Sequence, residues 1–347
     1  MKKPVPTLAI AILSLWSTGA SAQVDFVVGN GPGPTNTNRV RVFTSAGTPS
    51  TTDFLAYASG TYGVFASAGE LNSALFEEIL TGPGPGPALG CQVRGFLRDG
   101  TAMGKINFFA YGTTKYGVIV AGGNVDSDSF DEILTGPGAV PTFGPQLRAW
   151  NFDNVSVAAI LAVNVYAFTG VQWGCVVSAG DIDGDGIEEM LTGPGAGANV
   201  SPQLRAWNYD GGTFSAITKV DRLIFPGPLY GLHVAAGDVD GDSFDEIEAD
   251  TGPGAVLPPT VNGLNYDGSV LAPLAGFIQN GGGIGAGDVG GSANDDLMVG
   301  QGIVTGANST VRAYSYNGAN LILLVSFTAF PGNTDYGVTV SGGNLGF

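Results

Sequence analysis

The strongest constraint on this 347-residue chain is a motif that recurs at a near-constant interval and is finally cut in two by the chain ends. Its fullest copy reads AGDIDGDGIEEMLTGPG (179–195) and crowds Asp181, Asp183, Asp185, Glu188 and Glu189 into nine positions. Close copies are AGGNVDSDSFDEILTGPG (121–138) and AAGDVDGDSFDEIEADTGPG (235–254); fainter ones are SAGELNSALFEEILTGPG (67–84) and GAGDVGGSANDDLMVGQG (285–302). The loops open at positions 70, 124, 181, 238 and 288, an interval of 50 to 57 residues, and Tyr62, Tyr116, Trp173, Tyr230 and Asn280 stand eight residues ahead of them. A sixth copy, YGVTVSGGNLGF, begins at Tyr336 and stops inside its loop, while a matching second half, DFVVGNGPG (25–33), stands at the other end. A linear stack of repeats has no use for such a split, whereas a ring closes by pairing its last strand with its first.

Each repeat reads as four short strands. The Tyr-Gly run opens the first, EILT or its kin forms the second, QVRGF, QLRAW or TVRAY the third, and a looser apolar segment ending near FFAY or VYAF the fourth. Gly-Pro-Gly punctuates strands two and three, and NYDGG (208–212) and NYDGS (265–269) mark the next turn. No sustained helical period competes. The expected fold is all-β: a six-bladed β-propeller of four-stranded blades, its closing blade taking strand one from the C-terminus and the rest from residues 25 to about 58.

The start of the chain reads differently. Lys2 and Lys3 precede an apolar run too short for a comfortable membrane span, and Ala20-Ser21-Ala22 offers a cleavage site, so residues 1–22 read as a secretory signal cut near Ala22-Gln23. Residues 23–347 are then one propeller domain, secreted, periplasmic or on the cell surface. Without the leader, 11 basic residues face 30 acidic ones. Such a surface repels nucleic acid and anionic membrane and attracts cations.

Within the fullest loop, Asp181, Asp183, Asp185, the carbonyl of Ile187 and Glu189 fall at positions one, three, five, seven and nine. That spacing wraps oxygen ligands around one point, which suits calcium, a hard cation taking roughly six to eight oxygens. An EF-hand would need a bidentate Glu at position twelve, where Thr192 stands, and flanking helices in place of strands. The single histidine and the absence of a cysteine pair at metal spacing argue against zinc. Glu188 and Asp245, at position eight, compete with position nine for the ligand role.

The Tyr-Gly lead-in, the D-x-D-x-D-G-x-x-[DE] loop and the following Gly-Pro-Gly resemble the FG-GAP repeats of the integrin α-subunit propeller and of bacterial VCBS/FG-GAP secreted proteins, over nearly all of residues 25–347. Integrin-type propellers have seven blades where six are counted here, and position nine is mostly Glu where that family favours Asp. Carried over position by position, the resemblance implies calcium ligands at Asp238, Asp240, Asp242, Phe244 and Glu246, and at Asn124, Asp126, Asp128, Phe130 and Glu132. The 288 loop keeps only Asp288 and Asp296; the 70 loop, with Glu70, Asn72, Ala74 and Glu78, is expected to have lost its ion; the split loop offers Asn344 and Asp25.

Other recurrent residues have structural readings. Arg41, Arg94, Arg148, Arg205 and Arg312 recur in strand three, with Asn262 in the remaining blade, and each arginine is expected to tie its strand to a carboxylate. Trp150 and Trp207 read as packing between blades, His233 as a packed or hydrogen-bonded residue, and Cys91 and Cys175 as an unexpected though possible disulfide. No nucleophile motif stands beside the one histidine, and no phosphate-loop lysine follows the glycines. The expectation is an exported, calcium-binding, non-catalytic recognition or adhesion module for protein or cell-surface ligands. A carbohydrate-binding lectin is the alternative, with a calcium-dependent polysaccharide lyase or hydrolase behind it.

Overall fold

The structure, a computed structural model, describes residues 23–227, 230–252, 260–271, 274, 277–278, 281–303, 306, 308–333 and 335–347. The segment read as a signal, 1–22, and Asn280 lie outside the described residues. Six four-stranded antiparallel sheets form the blades of a β-propeller. Blade one runs from Val338–Gly343 inside through Asp25–Asn30 and Arg39–Phe43 to Pro49–Leu55 outside. Blade two is Val64–Gly69, Glu78–Pro83, Gln92–Phe96 and Ala102–Phe109; blade three is Val118–Gly123, Glu132–Pro137, Gln146–Phe152 and Val157–Tyr166. Blade four is Cys175–Gly180, Glu189–Pro194, Gln203–Tyr209 and Phe214–Leu223; blade five is Leu232–Gly237, Glu246–Thr251, Thr260–Leu264 and Phe277–Ile278. Blade six is Gly281–Gly287, Asp296–Gln301, Thr310–Tyr316 and Leu321–Thr328.

The closing blade pairs the chain ends as the split repeat requires, in an unbroken register from Asp25 opposite Gly343 to Asn30 opposite Val338. The six inner strands stand side by side in a closed ring. Each second strand is buried along its whole length because a neighbouring blade covers both of its faces, which is why it reads as a continuous apolar run and not as an alternation. Outer strands are mostly exposed, with a single buried residue each at Thr52, Ile106 and Val220 in blades one, two and four.

The Tyr-Gly pairs lie just before the first strand instead of opening it. Tyr116 and Gly117 both have left-handed backbones, with φ of 72° and 76°, and the strand begins at Val118. The reason is the seam between blades. A Cβ on Gly117 would lie 2.0 Å from the Pro83 carbonyl oxygen of the preceding blade, and one on Gly138 only 1.9 Å from the Tyr116 carbonyl oxygen. Backbone meets backbone here: Tyr-Gly of blade three packs on the Gly-Pro-Gly of blade two across the seam, and within blade three the Gly138 N–H donates to the Gly117 carbonyl at 3.2 Å.

The strand-three arginines correct one expectation. Four of them reach main-chain carbonyls of the preceding blade: Arg148 donates to Ala110 at 2.5 Å and Arg205 to Ala167 at 2.6 Å, while Arg94 reaches Ala56 and Arg41 reaches Ala329 across the chain ends. Carboxylates join only as second partners, Asp53 for Arg41 and Asp221 for Arg205. Asn262 repeats the tie weakly, at 3.4 Å to Ile224. A register shift beside the arginine in the pairing of strands three and four turns the side chain out of its own ladder. Arg148 also lies over Trp150, 4.4 Å from the ring centroid. The indole N–H groups of Trp150 and Trp207 donate to Thr135 and Thr192 within their own blades, and Phe108 of blade two packs on Trp150. Cys91 and Cys175 are separate buried thiols.

Replacing Arg148 with Met, which keeps bulk but removes the charged donor, should cost about 1.5–3 kcal/mol in denaturant unfolding. A loss below about 0.5 kcal/mol would mean that the arginine tie is incidental.

Candidate metal-binding loops

The acidic loops lie together at one end of the ring, between strands one and two of their blades. In the 181 loop the position-one carboxylate organises the turn: Asp181 Oδ1 accepts the N–H of Gly184 at 2.8 Å and of Asp185 at 3.1 Å, and Oδ2 accepts that of Gly186 at 3.0 Å. Asp238 does the same for Gly241, Asp242 and Ser243, and Asp288 for Gly291, Ser292 and Ala293. Position four is left-handed in all three, at Gly184, Gly241 and Gly291.

Three triads result, each with ligand atoms within 4.8 Å of one another: Asp126, Asp128 and Glu132; Asp181, Asp183 and Glu189; Asp238, Asp240 and Glu246. These groups can hold a metal ion. Asp185 and Asp242 fall outside the triads and accept the N–H of Ile187 and Phe244, the position-seven residues; Asp128 accepts that of Phe130. Asn124 donates to the Asp128 carbonyl. Asp288 and Asp296 are both buried but belong to no triad among the described residues, Gly290 and Ser292 supplying no carboxylate between them.

The position-nine glutamates are the most informative atoms. Glu132 and Glu189 are wholly buried; Oε2 of each accepts a main-chain N–H from Val125 or Ile182, and Oε1 has no donor. Asp183 Oδ1 and Asp296 Oδ1 are left in the same condition. Burial first, then the charge of the loop aspartates, pushes Glu132, Glu189 and Glu246 up to about 8. The 70 loop shows the alternative. There Asn72 Nδ2 donates to Glu78 Oε1 at 2.6 Å, so a side-chain amide satisfies the oxygen that is bare in the 132 and 189 sites. In the split loop, Asp25 accepts the N–H of Phe347, and Arg98, between the rings of Phe76 and Phe347, donates to the carbonyls of Leu345 and Gly346.

Position eight has a different task from position nine. Glu77, Asp131, Glu188, Asp245 and Asp295 line a central channel of about 390 Å³, and the place of the sixth is taken by Val24. Each carboxylate lies over the glycine that ends the preceding blade's inner strand; a Cβ on Gly123 would meet Glu188 Oε2 at 2.5 Å, and one on Gly180 would meet Asp245 Oδ2 at 2.6 Å. Burial first raises this ring, Asp131 and Asp245 to about 6 with help from loop carboxylates, and Glu77 and Asp295 to about 7 and Glu188 to about 8 with help from other ring members. The regular alternation of two acids at positions eight and nine was the sequence signal for two roles. On the same channel wall His233 places Nδ1 2.7 Å from Asp250 Oδ1; burial works against its protonation, but the Asp250 charge and hydrogen bond outweigh that and raise its pKa.

No family model matches the chain, and no curated protein matches it. Among solved structures it is similar to rhamnogalacturonan lyase YesW, with 14% identity, a TM-score of 0.41 and coverage of 86% of this chain and 64% of the lyase. A protein from Lactobacillus plantarum gives 13% identity and a TM-score of 0.46 over 92% of this chain and 99% of its own. The biofilm matrix protein Bap1 of V. cholerae gives 13% identity and a TM-score of 0.36 over 93% and 58%. None of these likenesses carries an activity or a ligand to this chain.

A carboxylate whose pKa is raised by folding stabilises the fold only while protonated. The contribution of Glu132, Glu189 and Glu246 is full below their ordinary value of 4.5 and lost as pH rises through about 8. Metal-free protein should therefore melt at a lower temperature at pH 9 than at pH 5.5, and the gap should narrow with metal present. A metal-free melting temperature that climbs over that range would contradict the assignment.

Proposed function

We propose that the chain is an exported calcium-binding propeller of the FG-GAP/VCBS type, acting as a non-catalytic recognition or adhesion module for protein or cell-surface ligands. The observation that carries the metal half is the bare, buried Oε1 of Glu132 and Glu189, each in a triad with two aspartates, set against the same oxygen of Glu78 already satisfied by an amide. An all-oxygen donor set suits a hard cation with a flexible coordination sphere, which favours calcium over zinc or copper. Asp126, Asp128 and Glu132, Asp181, Asp183 and Glu189, and Asp238, Asp240 and Glu246 would hold the ions, with Asp185, Asp242 and the carbonyls of Phe130, Ile187 and Phe244 completing the shells. Asp288 and Asp296 are the lesser fourth site. Export rests on Lys2, Lys3, the apolar run and Ala20-Ser21-Ala22.

Recognition is the role that a rigid ring with loops at both ends serves most directly, although propellers as a class host many functions. A glycan reading has one observation of its own. Tyr62, Tyr116, Trp173, Tyr230 and Tyr336 stand half-buried beside the Gly-Pro-Gly seams, at the end of the ring away from the acidic loops. Half-exposed aromatic faces of this kind can stack on sugar rings.

At roughly 100 times its dissociation constant, calcium should add about 2.7 kcal/mol per site. Chelation should lower the melting temperature clearly, magnesium should restore it poorly, and Asp183→Ala with Asp240→Ala should abolish most of the difference. A melting curve indifferent to chelator would sink the calcium reading. Pull-down and glycan-array binding, each with and without calcium, separate a protein ligand from a glycan, and turnover of a polyuronide would overturn the non-catalytic assignment.

A further inference from the structure

Blade five departs from the repeat where it meets blade six. Its second strand reads EIEADT, against EILTGP in blades two and three and EMLTGP in blade four. Register sets Glu248 opposite Ala235 and Asp250 opposite His233. The same register positions elsewhere hold a leucine, at Leu80, Leu134 and Leu191, and a glycine, at Gly82, Gly136 and Gly193. Both positions face the following blade: Leu80 packs with Val118 and Val120, and a Cβ on Gly82 or Gly136 would lie 2.0 Å from the Val118 or Cys175 carbonyl oxygen.

An aspartate at the glycine position is therefore possible only if the next inner strand gives way. It does: blade six opens with GGGIGAG, and its pairing slips between Gly281 and Gly283, whereas the inner pairs of the other five blades run without a shift. Glu248 and Asp250 are wholly buried, at 0% exposure. Among the described residues, both oxygens of Glu248 and Oδ2 of Asp250 have no hydrogen-bond partner, while Asp250 Oδ1 is held by His233 from the channel side. Three bare, wholly buried carboxylate oxygens on one strand, beside an inner strand stripped of side chains, are costly unless a proton or a cation meets them.

We propose that the seam between blades five and six is a binding site for a hard divalent cation, held by Glu248 and Asp250 with main-chain oxygens of the glycine-rich strand as the neighbouring donors. It is separate from the loop sites, lying inward of Glu246 on the same face of the strand. His233 is a positioning residue that fixes Asp250, and the calcium-loop reading is not needed for the site to exist.

Anomalous-scattering maps of the full-length protein crystallised in calcium test this, together with native mass spectrometry of wild type and Glu248→Leu. Leucine is the residue three other blades use at this position, so the variant is expected to fold. The expected result is an anomalous peak at the seam and a calcium count lower by one in the variant, with loop peaks unchanged. A water or a protonated carboxyl at the seam, with an unchanged count and a more stable Glu248→Leu protein, would overturn the proposal. Loss of loop peaks alone would count against the loops and leave the seam standing.

Discussion

A closed ring has no free end at which error can be absorbed, so every blade must be fastened to the one before it. At the acidic end a main-chain hydrogen bond does this at every seam. The N–H of the position-eight residue donates to the position-one carbonyl of the preceding loop six times over: Glu77 to Asn344, Asp131 to Glu70, Glu188 to Asn124, Asp245 to Asp181, Asp295 to Asp238 and Val24 to Asp288, at 2.7 to 3.0 Å. The last of these crosses the chain ends from one side and the first from the other. In two seams the bond is returned, since Asp131 Oδ2 accepts the N–H of Glu70 and Asp245 Oδ2 that of Asp181. The acidic loops are thus links of a chain, and whatever stiffens one loop stiffens the acceptor on which the next blade hangs.

That wiring gives the carboxylate triads a purpose beyond local neutralisation. A cation in the 181 loop would hold the residue that receives Asp245, and one in the 238 loop the residue that receives Asp295. Around the closing seam the chain uses its own atoms. Asn72 supplies an amide to Glu78, and Arg98 grips the last residues through Leu345 and Gly346. The loops of blades one and two are satisfied in this way, while blades three and four carry the bare oxygens of Glu132, Asp183 and Glu189 and blade six that of Asp296.

Repetition made much of this legible in advance. Six copies in register announced six blades, and DFVVGN at one end with YGVTV at the other announced the closing blade and its pairing partner. The loops were readable because carboxylates recur at odd positions, and the structure gathers three of them in each of three loops into a group that could hold a metal ion. Arginine partners were not readable, because the acceptors are main-chain carbonyls of Ala56, Ala110 and Ala167, which every residue possesses. The Tyr-Gly pairs passed for strand because aromatic residues favour strands; only the contact of Gly117 with Pro83 reveals why the backbone must turn there. Asn72 stood in a loop expected to have lost its ion, and only the structure shows its amide donating to Glu78. Glu248 drew no reading from the sequence, and register alone shows that it occupies a leucine position at a seam.

The account turns on the difference between loops whose position-nine carboxylate is left with a bare oxygen and the loop where an amide satisfies it. Hydrogen–deuterium exchange of the full-length protein in calcium and in chelator measures that difference directly. Calcium should slow exchange in residues 124–132, 181–189 and 238–246 and leave residues 70–78 unchanged. Equal protection of all four loops, or no change in any of them, would contradict it.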